Sequence, residues 1–525
     1  MFKFTIKAGM LVAAMAVATS CVNDLDRVPK YEVTSASVYK DFANYKPVLA
    51  RLYATLAVSG QQGPSGKPDI SGIDEGTSNY MRLLWKLQEL PTDEAKIAWN
   101  DGTIQDINKI TWTSSDGFIT AMYNRIFYLI SLSNEFIRET SDAKLSERGI
   151  SGQNATDAKT YRAEARFLRA MAYFHAIDLF GTVPFVTEAD APGSFLPRQA
   201  TRQELFTYVE TELKAIETEL AAPGAAEYGR ADRAAAQAIL ARMYLNAEVY
   251  IGQPKYTEAI AYTKKVIDSG VYKLEPTYQN LFTADNNISK EIIFPITFDG
   301  TRTQTYGGMT FLVHAQVGGS MSAAAYGVGS GGWSGIRSTQ KLVDVFPDVS
   351  ATADKRGMFY TDGQKRELED LGTFTDGFAV RKYTNVKSTG GQASDQQFVD
   401  TDFPLIRLAD MYLTYAEAVL RGGTGGDQAT AISYVNLLRT RAKAATVTTI
   451  NTDFILAERA RELYWEGYRR TDLIRYGRFT TATYLWPFKG GIKEGRAVDA
   501  RFNLYPIPAT DLVANPTLKQ NNSGY

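Results

Sequence analysis

Apolar residues return every three or four positions along much of this chain, which is a helical period. The longest such stretch is Tyr161–Leu179. Phe167, Ala170, Met171, Phe174 and Ile177 form one stripe, and Leu168, Ala172, His175 and Leu179 widen it past half the girth. A helix apolar over so much of its surface is buried between neighbours. Gly181 stops it, and Pro184 prevents its return. The same period predicts helices over 118–137 and, interrupted near Pro47, over 37–58. Over 201–220, Thr201 and Glu204 form a capping box ahead of the stripe.

Ala231–Tyr250 and Tyr256–Ser269 read as a helical pair rich in alanine, and Pro404–Arg421 with Asp427–Lys443 reads as a second. Small residues let paired helices approach closely, as in tetratricopeptide repeats. Phe454–Phe479 predicts one last long helical system. Within it Glu458, Glu462 and Glu466 recur at spacings of four among Arg459, Arg461, Arg469 and Arg470. Pairs of this kind are structural, each adding roughly 0.2–0.5 kcal/mol to a helix face.

Two regions lose the period. Residues 59–112 are rich in glycine and polar side chains over 59–79, start a short helix over Leu83–Leu90 that ends at Pro91, and then carry Trp99 and Trp112 among polar residues. Residues 271–400 have few stripes and many Gly, Thr, Asp and Tyr. There Glu291–Phe298 predicts a short strand that Pro295 keeps irregular or at an edge. Tyr326–Gly335 is a glycine-rich loop that presents Trp333. The tail, Leu504–Tyr525, reads as extended. The expected fold is mostly α. A scaffold of tetratricopeptide-like helical pairs (mainly 117–270 and 404–479) carries an irregular, loop-rich lobe with short strands (mainly 59–112 and 271–400).

Composition narrows the function. A net charge of −1 leaves no basic footprint for nucleic acid. Most of the 30 Tyr, 26 Phe and 6 Trp belong to the core, and Tyr and Trp in such number also suit a surface that binds rings. The single cysteine, Cys21, excludes an internal disulfide. It follows a basic start (Lys3, Lys7), the apolar run Ala8–Ala18 and the small residues Thr19 and Ser20. That order resembles a lipoprotein leader, the alternative being an ordinary secretory signal with an incidental Cys: residues 1–20 would be cleaved and Cys21 acylated, with 21–36 a tether and 37–525 the body. Acyl chains add about 0.8 kcal/mol per buried methylene, so the anchor is durable. With His175 and His314 as the sole histidines, no His-rich metal site is expected, and no phosphate loop occurs. Asp285–Asn287 with Glu291 offers hard oxygens that allow a structural Ca²⁺, though a solvated turn is the plainer reading. No other cofactor is expected.

Five segments in order resemble the SusD/RagB family of outer-membrane nutrient-binding lipoproteins. They are the leader, Glu164–Pro184, Leu405–Glu417, Glu458–Gly477 and the closing PIP, NP, QN and GY of the tail. The resemblance implies a non-catalytic protein at the cell surface, with a SusC-like TonB-dependent transporter as partner. Glu89–Glu94, Trp99, Asp299–Val313 and Gly332–Trp333 further resemble the starch-binding members. Matched motif to motif, Trp99, Tyr306 and Trp333 would form an arc of rings that stacks on a helical α-glucan, and Arg82 would bond its hydroxyls. Two positions depart from that pattern. Ile97 stands where a further Trp is found, and Gly102 where an Asn bonds sugar. The residues themselves leave three rivals open: a different glycan, a glycoside hydrolase using two of the 58 acidic residues, and a repeat scaffold that binds peptide.

Overall fold

Pro47 stands in the first turn of helix α1, Tyr45–Ala57, where its missing N–H costs no hydrogen bond. The predicted interruption is therefore a helix start. The computed structural model describes residues 35–190, 193 and 195–525. The leader, Cys21 and all but the end of the 21–36 tether lie outside the described residues. The chain divides into two units, residues 1–45 and 46–525. In the first, a short helix over Ser35–Val38 and a 3₁₀ turn over Phe42–Asn44 are described.

In the second unit the helices continue with α2 (Tyr80–Glu89), α3 (Gly117–Glu139), α4 (Gly152–Leu179) and α5 (Arg202–Ile216). Helices α6 (Arg233–Leu245), α7 (Tyr256–Asp268), α8 (Gly308–Gln316) and α9 (Leu408–Leu420) follow. The last long ones are α10 (Gln428–Arg441), α11 (Thr452–Leu463) and α12 (Arg469–Arg475). Helix α4 carries the wide apolar stripe, and every residue from Phe167 to Leu179 on it is buried. Gly181 ends it at φ +78°, a conformation that disfavours any side chain. The capping box at Thr201 is present in full.

Neighbours pack in series: α3 on α4, α4 on α5, α5 on α6, α6 on α7, α7 on α9 and α9 on α10. This is the mostly helical fold of stacked pairs that the periodicity predicts. The alanines of α6 are all but wholly buried and let α7 approach.

Strands are few and short. β1 (Ala95–Ile97) pairs antiparallel with β3 (Ile336–Ser338). β2 (Ile292–Ile296) pairs antiparallel with β4 (Phe403–Arg407), and its register shifts on both sides of Phe294. Pro295 gives no N–H to that ladder, so the irregularity has the expected cause.

Three predicted elements differ in detail. The helix read over 404–421 begins as β4, and turns helical at Leu408. The segment 454–479 breaks after Leu463: Trp465 and Gly467 take φ of +62° and +81° before α12 begins. Buried carboxyl groups capture the freed amides. Glu94 Oε2 accepts from Trp465 N at 3.1 Å, and Glu89 Oε1 accepts from Gly467 N at 2.6 Å. The third is α8, a helix inside the region read as irregular. All nine of its residues are buried.

Glu458, Glu462 and Glu466 do form ion pairs, but in the core rather than on a solvated face. Arg407 Nη1 lies 2.8 Å from Glu291 and 2.6 Å from Glu462, and its Nε lies 2.7 Å from Glu466. Arg356 joins Glu458 and Glu462 at 2.8 and 3.1 Å, and Lys382 joins Glu466 at 2.7 Å. None of these side chains touches solvent. Their mutual attraction, with that of Arg441, holds Glu462 far below the usual carboxylate range against the opposing effect of burial.

Candidate functional site

Strand pairing brings the predicted ring residues together. Trp99 follows β1 by two residues, and Trp333 precedes β3 by three, so the β1–β3 ladder sets them side by side. Ala98 N donates to Gly335 O at 2.7 Å and extends that ladder toward them. The Trp333 loop is tied to the end of α8 by Trp333 N→His314 O (2.8 Å), Ser334 N→Val317 O (3.0 Å) and Gly335 N→Ala315 O (2.7 Å). Tyr306 lies two residues ahead of α8.

The ring centroids of Trp99 and Trp333 are 6.4 Å apart with planes at 41°, and those of Trp333 and Tyr306 are 6.3 Å apart at 57°. Trp333 is therefore the middle ring of three, each tilted against the next. All three are half-buried, neither sunk in the core nor splayed into solvent. Trp99 Nε1 donates to Trp333 O at 3.1 Å, which fixes the indole's rotation. A Cβ on Gly335 would lie 2.6 Å from two ring atoms of Trp99, so a hydrogen is needed there for the ring to sit.

Arg82, on α2, is buried beneath the rings. Its guanidinium carbon is 4.2 Å from the Phe311 ring centre and 5.8 Å from that of Trp99. Its Nη1 donates to Gly76 O at 2.9 Å and Tyr306 O at 3.1 Å. It thus braces the backbone of Tyr306, and its Nε has no partner. Burial pulls its pKa down to about 10, with Asp74 and Asp101 opposing, so it stays charged at neutral pH. Of the two departures, Ile97 is buried within β1. Gly102 is exposed at φ +51°, its Cβ position 3.8 Å from the Phe118 ring.

Sequence reasoning did not find three supports of this site. Phe311, wholly buried, forms the floor under Trp99 at 5.9 Å. Gln397 Nε2 donates to the Tyr306 hydroxyl at 2.8 Å. His314 stacks on Trp333 at 4.7 Å with planes at 28°. The first and third lie on α8, which is buried all round, so its polar and apolar positions mark no solvent face.

The oxygens considered for calcium already have protein donors. Asp285 accepts from Thr283 Oγ1 (2.8 Å) and from Ser388 N and Oγ (2.7 and 2.8 Å), and Glu291 is bound by Arg407 and Arg441. Among the described residues no three His, Cys, Asp or Glu side chains converge as a metal site would require.

Two family profiles match the chain: the SusD family over 359–525, and one described as starch-binding and associating with the outer membrane over 75–245. The starch-binding protein SusD of Bacteroides thetaiotaomicron is 37% identical over the whole of this chain and 99% of its own. SusD-like protein P2 of Formosa agariphila is 25% identical over 81% of this chain and 84% of its own. Among solved structures, a SusD superfamily protein of B. thetaiotaomicron superposes with a TM-score of 0.70 at 20% identity, covering 92% of this chain and 99% of that one. Surface glycan-binding protein A of the same organism, in complex with laminarihexaose, also gives 0.70, at 19% identity over 91% and 99%. With the helical pairs, the short strands and an end-to-end relative at 37% identity in agreement, the chain belongs to the SusD family.

Proposed function

We propose that this protein captures a helical α-glucan, such as a malto-oligosaccharide, on the tilted plates of Trp99, Trp333 and Tyr306. It holds the sugar at the cell surface through an acylated Cys21 in the outer membrane, and passes it to a SusC-like TonB-dependent transporter. A member of this family is a binding protein and not an enzyme. The observation that carries the reading is the ring geometry: three half-buried aromatic rings, successive centroids 6.4 and 6.3 Å apart, turned by 41° and 57°. A pyranose face presents apolar C–H groups to an aromatic face, while its rim stays polar and wet. Successive plates that tilt suit a chain that coils, and disfavour a flat ribbon. Isothermal titration with maltoheptaose, laminarihexaose and cellohexaose tests this. Maltoheptaose is expected to bind at least tenfold tighter than cellohexaose. Equal affinities, or no affinity for maltoheptaose, would overturn the reading.

A β-1,3-glucan is the second reading. A protein of the same fold is known in complex with laminarihexaose, and Ile97 and Gly102 depart from the starch-binding pattern. A titration in which laminarihexaose binds best would select it.

A further inference from the structure

His314 stacks on the middle ring and lies against two backbone carbonyls beside the arc. Its Nδ1 lies 2.9 Å from Gly331 O, two residues before Trp333. Its Nε2 lies 2.8 Å from Gln397 O, in the residue whose side chain donates to the Tyr306 hydroxyl. Its ring stacks on the Trp333 indole. A neutral imidazole has one N–H, so it bonds one of these carbonyls and turns a lone pair toward the other. An imidazolium donates to both, and also sets a cation against the face of Trp333.

We propose that His314 is a positioning residue for the ring arc, and that its second proton tightens the arc so that glucan affinity rises on mild acidification. This rests on the arc being the sugar site. The neutral form keeps the fold, because Trp333 N still donates to His314 O, and loses one of two side-chain ties.

The surroundings leave this proton to His314. The loop 328–335 holds no charged side chain, and His314 is the sole titratable residue of α8. On the turn that carries Gln397, Asp395 is held by Gln397 N and Phe398 N, and Asp400 by Gly300 N and Ser394 N. Arg337, at the same C-terminal end of α8, has its Nη1 engaged by Gln316 O. Arg82 Nη1 is engaged by Gly76 O and Tyr306 O. Burial draws the His314 pKa below the ordinary imidazole value, and the two carbonyls work against that. The second proton is therefore taken up below the ordinary imidazole value.

Two measurements on the mature chain test this. The first is isothermal titration with maltoheptaose between pH 5 and pH 7.5, for wild type and His314→Gln, which retains one donor. Losing one net hydrogen bond weakens binding about fivefold. Wild type is expected to bind about fivefold tighter at pH 5, and His314→Gln to show a flat profile at the wild-type pH 7.5 level. A flat or reversed wild-type profile, or the same slope in the variant, overturns the proposal. The second uses no sugar and no variant at 314. Imidazolium quenches a stacked indole, so the fluorescence difference between wild type and Trp333→Phe is expected to titrate below pH 6.5. No titration there sinks the His314 inference and leaves the arc standing. A titration with no binding of maltoheptaose at any pH sinks the arc reading, and the coupling with it.

Discussion

Replacing Trp333 by alanine removes the plate that both outer rings adjoin, at 6.4 and 6.3 Å. A sugar face resting on an indole covers about half of the roughly 200 Å² such a ring can bury, or about 100 Å². At about 25 cal/mol per Å² that is about 2.5 kcal/mol, or roughly 60-fold in Kd. The fold should hardly notice. The ring is half-exposed, and the three backbone bonds that tie its loop to α8 do not involve the side chain. A Tm decrease of no more than about 2–4 °C is expected, the response of a chain above 150 residues to about 1 kcal/mol. The assay is isothermal titration with maltoheptaose, backed by mobility in an amylopectin gel. Trp99→Ala with Trp333→Ala should abolish retardation, and by less than the sum of the two single losses, because the rings are near neighbours. If Trp333→Ala binds within twofold of wild type while its Tm is unchanged, the stacking argument is wrong.

Gly335→Ala places a methyl 2.6 Å from the Trp99 ring and should weaken glucan binding about tenfold by turning that indole, at the cost of one desolvated contact; far-UV circular dichroism should stay unchanged. Arg407→Ala strips the shared partner from Glu291, Glu462 and Glu466, all fully buried, and should cost about 3–5 kcal/mol in a denaturant titration. Glu89→Gln addresses pH. Burial and the neighbouring Glu94 hold the Glu89 carboxyl well above the ordinary carboxylate range, and burial brings Glu94 to about 7. Both folded pKa values exceed the unfolded value, so the native state binds more protons than the unfolded chain, and stability falls as pH rises from about 4.3 through 7 and above. The glutamine keeps the acceptor for Gly467 N and supplies a permanent donor to Glu94. Its unfolding free energy should therefore decline less between pH 5 and pH 9 than that of wild type.

Much of this fold is legible from spacing alone, and the exceptions have physical reasons. Helices α3, α4 and α5 show stripes because one face of each is apolar and the other is not. β4 was hidden because every residue from Phe403 to Ala418 is buried, so strand and helix run together without a change of pattern. The turn after Leu463 depends on carboxyl groups from Glu89 and Glu94, hundreds of positions away, which no local window can register. The site divides the same way. Trp99, Tyr306, Trp333 and Arg82 were reached through resemblance to a family, since a lone aromatic carries no sign of exposure. Phe311, Gln397 and His314 act by contact with those rings, and only the pairing of β1 with β3 and the burial of α8 bring them into view.

A crystal structure of the mature protein with maltoheptaose tests the central claim most directly. The account predicts consecutive glucose units lying on Trp99, Trp333 and Tyr306, the chain bending with the rings. Sugar bound on another face of the molecule, with these three rings bare, would contradict it.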